Sequence, residues 1–326
     1  MEISGAAGTR LRALDADVSR DRRIGGGECR IRTGGNGGSA EFWRDEMYGA
    51  SGGGGAWNGQ TAGAGGSALE GQGTVGGTPE EFKALVDEAH GAGLAVIMDV
   101  VHSHAVSNEV EGIGRLDGSY TTYFHAGDRG LHPAWNSRCF DYGKNETLHF
   151  LLSNLKYWMQ EYCLDGFRFD GVTSMLYYDH GLGRDFTGYG MYFDGGQDED
   201  ALVYLGLANI LVKEVNSRAF TVAEDMSGMP GLAAPLKEGG TGFDYRMSMG
   251  VADHWIKWIK ERNDWDWNMG EIWYELSNKR VEERTISYAE CHDQALVGDK
   301  TIIFRLMDKE MYYAMGKGSE NPVIDR

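Results

Sequence analysis

Residues 78–101 read TPEEFKALVDEAHGAGLAVIMDVV, and this stretch decides the fold class. Thr78 is a good N-cap, Pro79 suits the first helical position, and Glu81 completes a capping box. Phe82, Leu85, Val86 and Ala89 follow at the spacing of one helix face, and Gly91 and Gly93 end the helix. Leu94 to Val101 is then an apolar run rich in β-branched residues, broken only by Asp99. Such a run predicts a strand buried on both faces, as in a parallel sheet. The same unit recurs along the chain. A helix at about 146–162, with Leu148, Leu151, Leu152, Leu155 and Trp158 on one face, precedes the strand Gly166-Phe-Arg-Phe-Asp170. A second helix near 200–216 precedes Ala219-Phe-Thr-Val-Ala-Glu224, and a third near 251–262 is followed later by strand-like Thr285-Ile-Ser-Tyr-Ala-Glu290. Helix alternating with buried strand implies an α/β fold with parallel strands.

The remainder of the chain bounds the function. Its 326 residues carry 31 Lys+Arg against 49 Asp+Glu, a formal net charge of −18. That balance argues against a nucleic-acid or anionic-membrane partner, because phosphate binding needs a basic face. No apolar window is long enough for a membrane helix, and no secretory leader is evident at the N-terminus. The cysteines at 29, 139, 163 and 291 form no CxxC pair, so a thiolate zinc site is not expected. Residues 1–77 hold 22 of the 49 glycines, in runs such as Gly52 to Gly55 that cannot offset the entropy of ordering. They read as a Gly-rich, disordered segment ahead of a catalytic domain over 78–326.

Charged residues gather at the strand ends. The first strand carries Asp99 with His102 and His104 just beyond; the second ends at Asp170, with Arg168 two residues earlier; the third ends at Glu224-Asp225; the last leads to His292-Asp293. In a barrel of parallel strands these ends converge on one mouth, where active sites are built. Arg168 and Asp170 share a strand face, so the guanidinium can hold the carboxylate ionised. His102 and His104 straddle Ser103 in a pattern able to hold a metal, but no third ligand spacing is evident. Tyr120, Tyr123, Phe124 and Trp135 read equally well as core or as surfaces for sugars. Met226, Met229, Met247 and Met249 read as packing, and the acids between Glu271 and Glu283 as a solvated face. No phosphate-binding glycine fingerprint lies between a strand and a helix. Several carboxylates in one mouth fit retaining glycoside chemistry, where one must be ionised and another protonated with a raised pKa, which a neighbouring negative site would supply.

Four segments carry a family resemblance. Asp99-Val-Val-His-Ser-His104, Gly166-Phe-Arg-Phe-Asp170, Val222-Ala-Glu-Asp-Met226 and Ala289-Glu-Cys-His-Asp293 resemble, in order and spacing, the four signature regions of the α-amylase family. Trp135-Asn-Ser-Arg-Cys-Phe-Asp-Tyr-Gly143, Gly242-Phe-Asp-Tyr-Arg246 and His292-Asp-Gln-Ala-Leu-Val-Gly-Asp-Lys-Thr301 look like its eukaryotic-type glucan-branching group. The resemblance covers roughly residues 76–326 and implies a (β/α)8 TIM barrel of which this chain holds about strands three to seven. It implies Asp170 as nucleophile, Glu224 as general acid and then base, and Asp293 as transition-state stabiliser. Asp99, His104, Arg168 and His292 would line the subsite of the reacting glucose. The implied substrate is an α-1,4-glucan, cut and transferred to a 6-hydroxyl, with no metal or organic cofactor, in cytosol or plastid. An α-glucan hydrolase and an inactive glucan-binding relative are the alternatives. Two departures stand out: Cys291 occupies a position usually held by Ser, and the tyrosine-bearing segment usual before Thr78 is replaced by the Gly-rich tract. On this reading the chain is a fragment, weakly active or inactive alone.

Overall fold

The computed structural model describes residues 78–109, 112–115, 117–293, 300–318 and 320–325. The expectation of disorder for 1–77 lies outside these residues. The chain divides into two compact units, meeting between Tyr245 and Arg246.

In the first unit, helix α1 spans Pro79–Gly91 and begins as the sequence predicts. The Thr78 backbone N–H donates to Glu81 Oε2 at 2.6 Å, and Glu81 N–H donates to Thr78 Oγ1 at 3.3 Å. Strand β1, Ile97–Val100, follows. A small antiparallel sheet comes next, built from β2 (Ala105–Val106), β3 (Leu131–His132) and β4 (Ser137–Arg138), with β4 in the middle. Its strands are two residues long, too short to leave a period-two pattern, and the sequence gives no hint of them. Helix α2, Asn145–Tyr162, buries Leu148, Leu151, Leu155, Trp158, Met159 and Tyr162, the i, i+3, i+4, i+7 stripe expected of an amphipathic helix. It leads to β5, Gly166–Phe169, the short helix α3, Val172–Leu176, the long helix α4, Glu199–Val215, and β6, Phe220–Ala223.

Strands β1, β5 and β6 pair in parallel and in chain order, each joined to the next by a helical crossover. Chain-order adjacency is the winding of a (β/α) barrel wall, rather than of a doubly wound sheet whose order reverses. The central strand β5 is buried at all four residues, as the apolar run predicts. β1 departs from that prediction. Its residues alternate, with Ile97 and Asp99 exposed and Met98 and Val100 buried. Among the described residues β1 pairs only with β5, and the face that carries Ile97 and Asp99 is the exposed one.

Gly166 opens β5 because nothing larger fits. Its φ is +150°, and a Cβ there would lie 1.8 Å from the carbonyl oxygen of Phe220 on β6. The core of the unit lies between the sheet and its helices, around Trp158, Phe167, Phe169, Tyr204, Leu155 and Leu205.

In the second unit, β7 (Tyr245–Met247, the division falling after its first residue) pairs in parallel with β8, Thr285–Ile286, in the register Arg246↔Thr285. Helices α5 (Met249–Glu261), α6 (Met269–Ser277) and α7 (Ile302–Met307) also belong to it. The strand expected over 285–290 stops at Ile286: its carbonyl accepts from Ser248 N–H, and the pairing with β7 extends no further. The reading of the acids between 271 and 283 as solvated also needs correction. Glu271 is paired with Arg262 at 2.6 Å. Glu283 is buried, accepting from the buried Arg246 at 3.0 Å, because an ion pair removed from water holds its geometry only when both partners are present.

The close approach at Gly166 makes a test. Gly166→Ala should lower the unfolding free energy by about 3 kcal/mol or more in urea titration, since the backbone of β6 must move. Gly91→Ala, at a position where a Cβ meets nothing within 4 Å, should stay within about 1 kcal/mol of the parent.

Candidate active site

The site of the first unit is assembled by strand register. Asp99 on β1 lies directly beside Arg168 on β5, and Arg168 lies beside Val222 on β6. Asp170 follows β5, its N–H donating to the carbonyl of Val100 at 3.0 Å. Glu224 follows β6, its N–H donating to the carbonyl of Phe169 at 3.0 Å. The ladder therefore carries the acids beyond the strand ends on neighbouring strands.

Arg168 joins them. Its Nη1 donates to Asp99 Oδ2 at 2.7 Å and to Asp170 Oδ1 at 3.0 Å, and its Nη2 lies 3.1 Å from Glu224 Oε2. The guanidinium is 10% exposed, so these interactions are little screened. Four of the residues singled out from sequence, Asp99, Arg168, Asp170 and Glu224, are thus brought together.

Glu224 is the most perturbed of them. Its carboxyl pKa is raised to about 7, chiefly by burial; Arg168 pulls the value down, and Asp170 pushes it up. A raised value was expected from neighbouring negative charge, and that contribution is present, but removal from water is the larger cause. The backbone N–H of Gly171 donates to Glu224 Oε2 at 2.9 Å and fixes the side chain over the strand end.

The segment after Glu224 is locked by Asp225, a role the sequence left unassigned. The buried Asp225 Oδ1 accepts from the hydroxyls of Thr173 and Ser227, each at 2.7 Å, while Oδ2 accepts from the N–H of Gly228 at 3.0 Å and of Met229 at 3.3 Å. Thr173 Oγ1 accepts in turn from Met226 N–H at 2.8 Å. Of the methionines read as packing, Met229 is buried but Met226 stands 71% exposed, because its N–H rather than its side chain holds the loop.

The histidines part company. His102 is buried, with Nδ1 2.5 Å from the Tyr204 hydroxyl and Nε2 3.1 Å from Asn154 Oδ1, so both ring nitrogens are engaged in the core. Burial pushes its pKa down to about 4. His104 turns the other way, its ring edge-on to Trp135 at 4.8 Å. Its pKa is lowered by burial, while the charge of Asp170 opposes that shift. The two rings do not converge as a metal pair. Among the aromatics left open by sequence, Phe124 is buried core and Tyr123 stacks on Phe150 at 4.7 Å. Tyr120 lies beneath Arg115 and Arg138, and Trp135 is 48% exposed.

His292 and Asp293 belong to the second unit. There His292 Nε2 lies 3.3 Å from Asp293 Oδ1, and the Cys291 thiol donates to Asp293 Oδ2 at 3.4 Å. The thiol at this position thus makes the contact to Asp293 that a Ser hydroxyl would be able to make.

No family model matches the chain. Curated relatives do. The 1,4-alpha-glucan-branching enzyme of Rhizophagus irregularis is 56% identical over 252 residues, covering 77% of this chain and 37% of that one. The enzyme of the same name from Felis catus is 56% identical over 252 residues, 77% of this chain and 36% of its own length. That of Solanum tuberosum is 54% identical over 255 residues, 77% of this chain and 30% of its own. The crystal structure of an Anoxybacillus alpha-amylase matches 71% of this chain and 48% of its own at 17% identity, with a TM-score of 0.49. This chain spans between 30% and 37% of the length of those three curated relatives. Over the part that these enzymes share with it, the chain belongs to the family of the 1,4-α-glucan-branching enzymes.

Proposed function

We propose that the chain carries the catalytic residues of glucan branching: cleavage of an α-1,4-glucan and transfer of the cut segment to a 6-hydroxyl by retaining double displacement. The observation that carries this reading is the pair of carboxylates on one guanidinium. Asp170 lies at 3.0 Å from Arg168 and 30% exposed, whereas Glu224 is 13% exposed with its pKa raised to about 7. Glu224 is suited to be protonated at neutral pH, and Asp170, on the same guanidinium and nearer water, is placed to be the nucleophile, the division of labour that retaining chemistry needs.

In the first step the Asp170 carboxylate attacks the anomeric carbon. The glycosidic C–O bond breaks, and the Glu224 carboxyl gives its proton to the departing 4-oxygen. In the second step the Glu224 carboxylate takes the proton of an acceptor 6-hydroxyl. That oxygen attacks the same anomeric carbon and displaces Asp170, restoring both side chains. Arg168 holds both Asp99 and Asp170, Asp99 and Arg168 are assigned to grip the reacting sugar, and His104 adds a hydrogen-bonding edge. To Asp293 of the second unit the family resemblance gives transition-state stabilisation, and to His292 a place lining the subsite of that sugar. Boundaries of 1–77 for a Gly-rich segment and 78–326 for the partial catalytic barrel form part of the same reading. Nothing in this chemistry requires a metal or organic cofactor. A neutral glucan suits a chain of net charge −18, which repels polyanions. Among the described residues no helix is long and apolar enough to cross a membrane.

Incubation of the purified chain with linear amylose tests this directly. New anomeric proton signal of α-1,6 linkages, without matching growth of reducing ends, is expected. Growth of reducing ends alone would make water the acceptor and the chain a hydrolase, and silence from a folded sample would sink the assignment of activity to this chain. Asp170→Asn and Glu224→Gln should each lower turnover by about a thousandfold or more.

Glu224 also fixes the pH dependence. Turnover should fall on the alkaline side through about pH 7, as the acid loses its proton. Because the folded-state pKa lies above that of an unfolded glutamate, its contribution to stability is present below about pH 4.5 and is lost as pH rises through about 7. Between pH 4.5 and 8 the parent should therefore lose about 3 kcal/mol relative to Glu224→Gln in chemical denaturation. Parallel pH dependence of the two proteins would contradict the raised value.

A further inference from the structure

Trp135 sits on a turn whose construction leaves one ring face open and fixes everything behind it. The indole stacks on His132 with ring centroids 4.0 Å apart and an interplanar angle of 3°. His132 is only 1% exposed, and behind it lies His180, its ring 4.4 Å away and its Nδ1 2.9 Å from the carbonyl of Ser174. His132 Nδ1 accepts from the backbone N–H of Ala134 at 3.3 Å and of Trp135 at 3.2 Å. The turn is closed by Asn136, which donates its N–H to the carbonyl of His132 at 3.1 Å, accepts from Ser107 Oγ at 2.7 Å, and takes a left-handed φ of +49°. His104 closes the flank edge-on at 4.8 Å. The indole is held firmly from behind and yet stands 48% exposed.

The position of the ring indicates what would cover it. A Cβ placed on Gly171 would sit 3.7 Å from Trp135 Cη2, and Gly171 directly follows Asp170 and donates its N–H to Glu224. The open indole therefore borders the carboxylates. His104, in contact with the ring, itself feels the charge of Asp170. The ligand suited to a flat, rigid, apolar face beside hydrogen-bonding carboxylates is one with a C–H face and a rim of hydroxyls, that is, a pyranose ring. Burial and the neighbouring His180 and His104 hold the His132 pKa down to about 4, so the backing ring is neutral and adds no charge beneath the indole. A pre-ordered indole also loses little conformational freedom on binding.

We propose that the open face of Trp135 stacks on a glucose unit of the α-glucan, next to the unit that reacts at Asp170 and Glu224. This rests on the glucan reading above and adds a specificity-determining residue to it. The apolar edge of the site would thus be supplied by the hairpin between β3 and β4.

Isothermal titration of the full chain with maltoheptaose tests it, in an Asp170→Asn background that prevents turnover. Adding Trp135→Ala should weaken binding by about tenfold, with the unfolding midpoint unchanged. Trp135→Phe should restore most of the affinity, and Trp135→Leu, which keeps apolar bulk without the flat face, should not. Should the alanine variant fail to fold, the Phe-to-Leu comparison decides alone. Equal affinity across the series, with the parent binding normally, would overturn the role of Trp135 and leave the glucan reading standing. Absence of maltoheptaose binding by the folded Asp170→Asn parent would overturn the glucan reading itself, and the role of Trp135 with it.

Discussion

The guanidinium of Arg168 is the point on which the site depends. Three carboxylates placed at neighbouring strand ends would repel one another and resist burial. One nearly buried cation reaching Asp99, Asp170 and Glu224 at 2.7, 3.0 and 3.1 Å makes the arrangement tenable. Only an arginine does this, because its planar fork offers donors in several fixed directions where lysine presents a single point. The register of β1 against β5 then has a functional consequence. Slipping it by one residue would turn Arg168 away from Asp99 and dissolve the cluster, so the ladder that builds the core also sets the site.

Arg168 does not treat the acids alike, and solvent explains why. Asp99 and Asp170 are 52% and 30% exposed, and water shares the cost of their charge. Glu224 is 13% exposed, and there the loss of hydration outweighs both the cation and the N–H of Gly171. Depth is thus the main cause of the raised Glu224 value, and the nearby Asp170 adds to it. The Asp225 loop keeps that depth constant. Tied to Thr173 on α3 and to the N–H groups of Gly228 and Met229, it prevents the end of β6 from swinging into water.

Much of this was legible in the sequence. The capping box at Thr78, the apolar stripe of α2, the buried run of β5 and the acids at the strand ends are local patterns with period or spacing, and they appear in the structure where the residues predict them. What escaped was set by tertiary context. The alternating exposure of β1 depends on what covers each face of the strand, which apolar content does not encode. The three two-residue strands and the turn that carries Trp135 have no period at all. Glu283 looked like one solvated acid among many, and only the approach of Arg246 from a strand 37 residues earlier buries it. Asp225 was visible beside Glu224, but its use as a loop anchor depends on Thr173, 52 residues away.

Rigidity rather than reach distinguishes the carboxylate cluster of the first unit. Each group beside Asp170 is held by something that does no chemistry: Glu224 by the N–H of Gly171, the loop after it by Asp225, and Trp135 by His132. Gly171 shows how little slack is left. Its φ of +62° is left-handed, and a Cβ there would lie 2.9 Å from Ser103 Oγ as well as near Trp135. A side chain at this position would press on Ser103 of the loop after β1 and on the Trp135 ring. The glycine after Asp170 is therefore what lets three separate segments of the chain pack closely beside the carboxylates, and the chemistry proposed for those carboxylates requires that closeness.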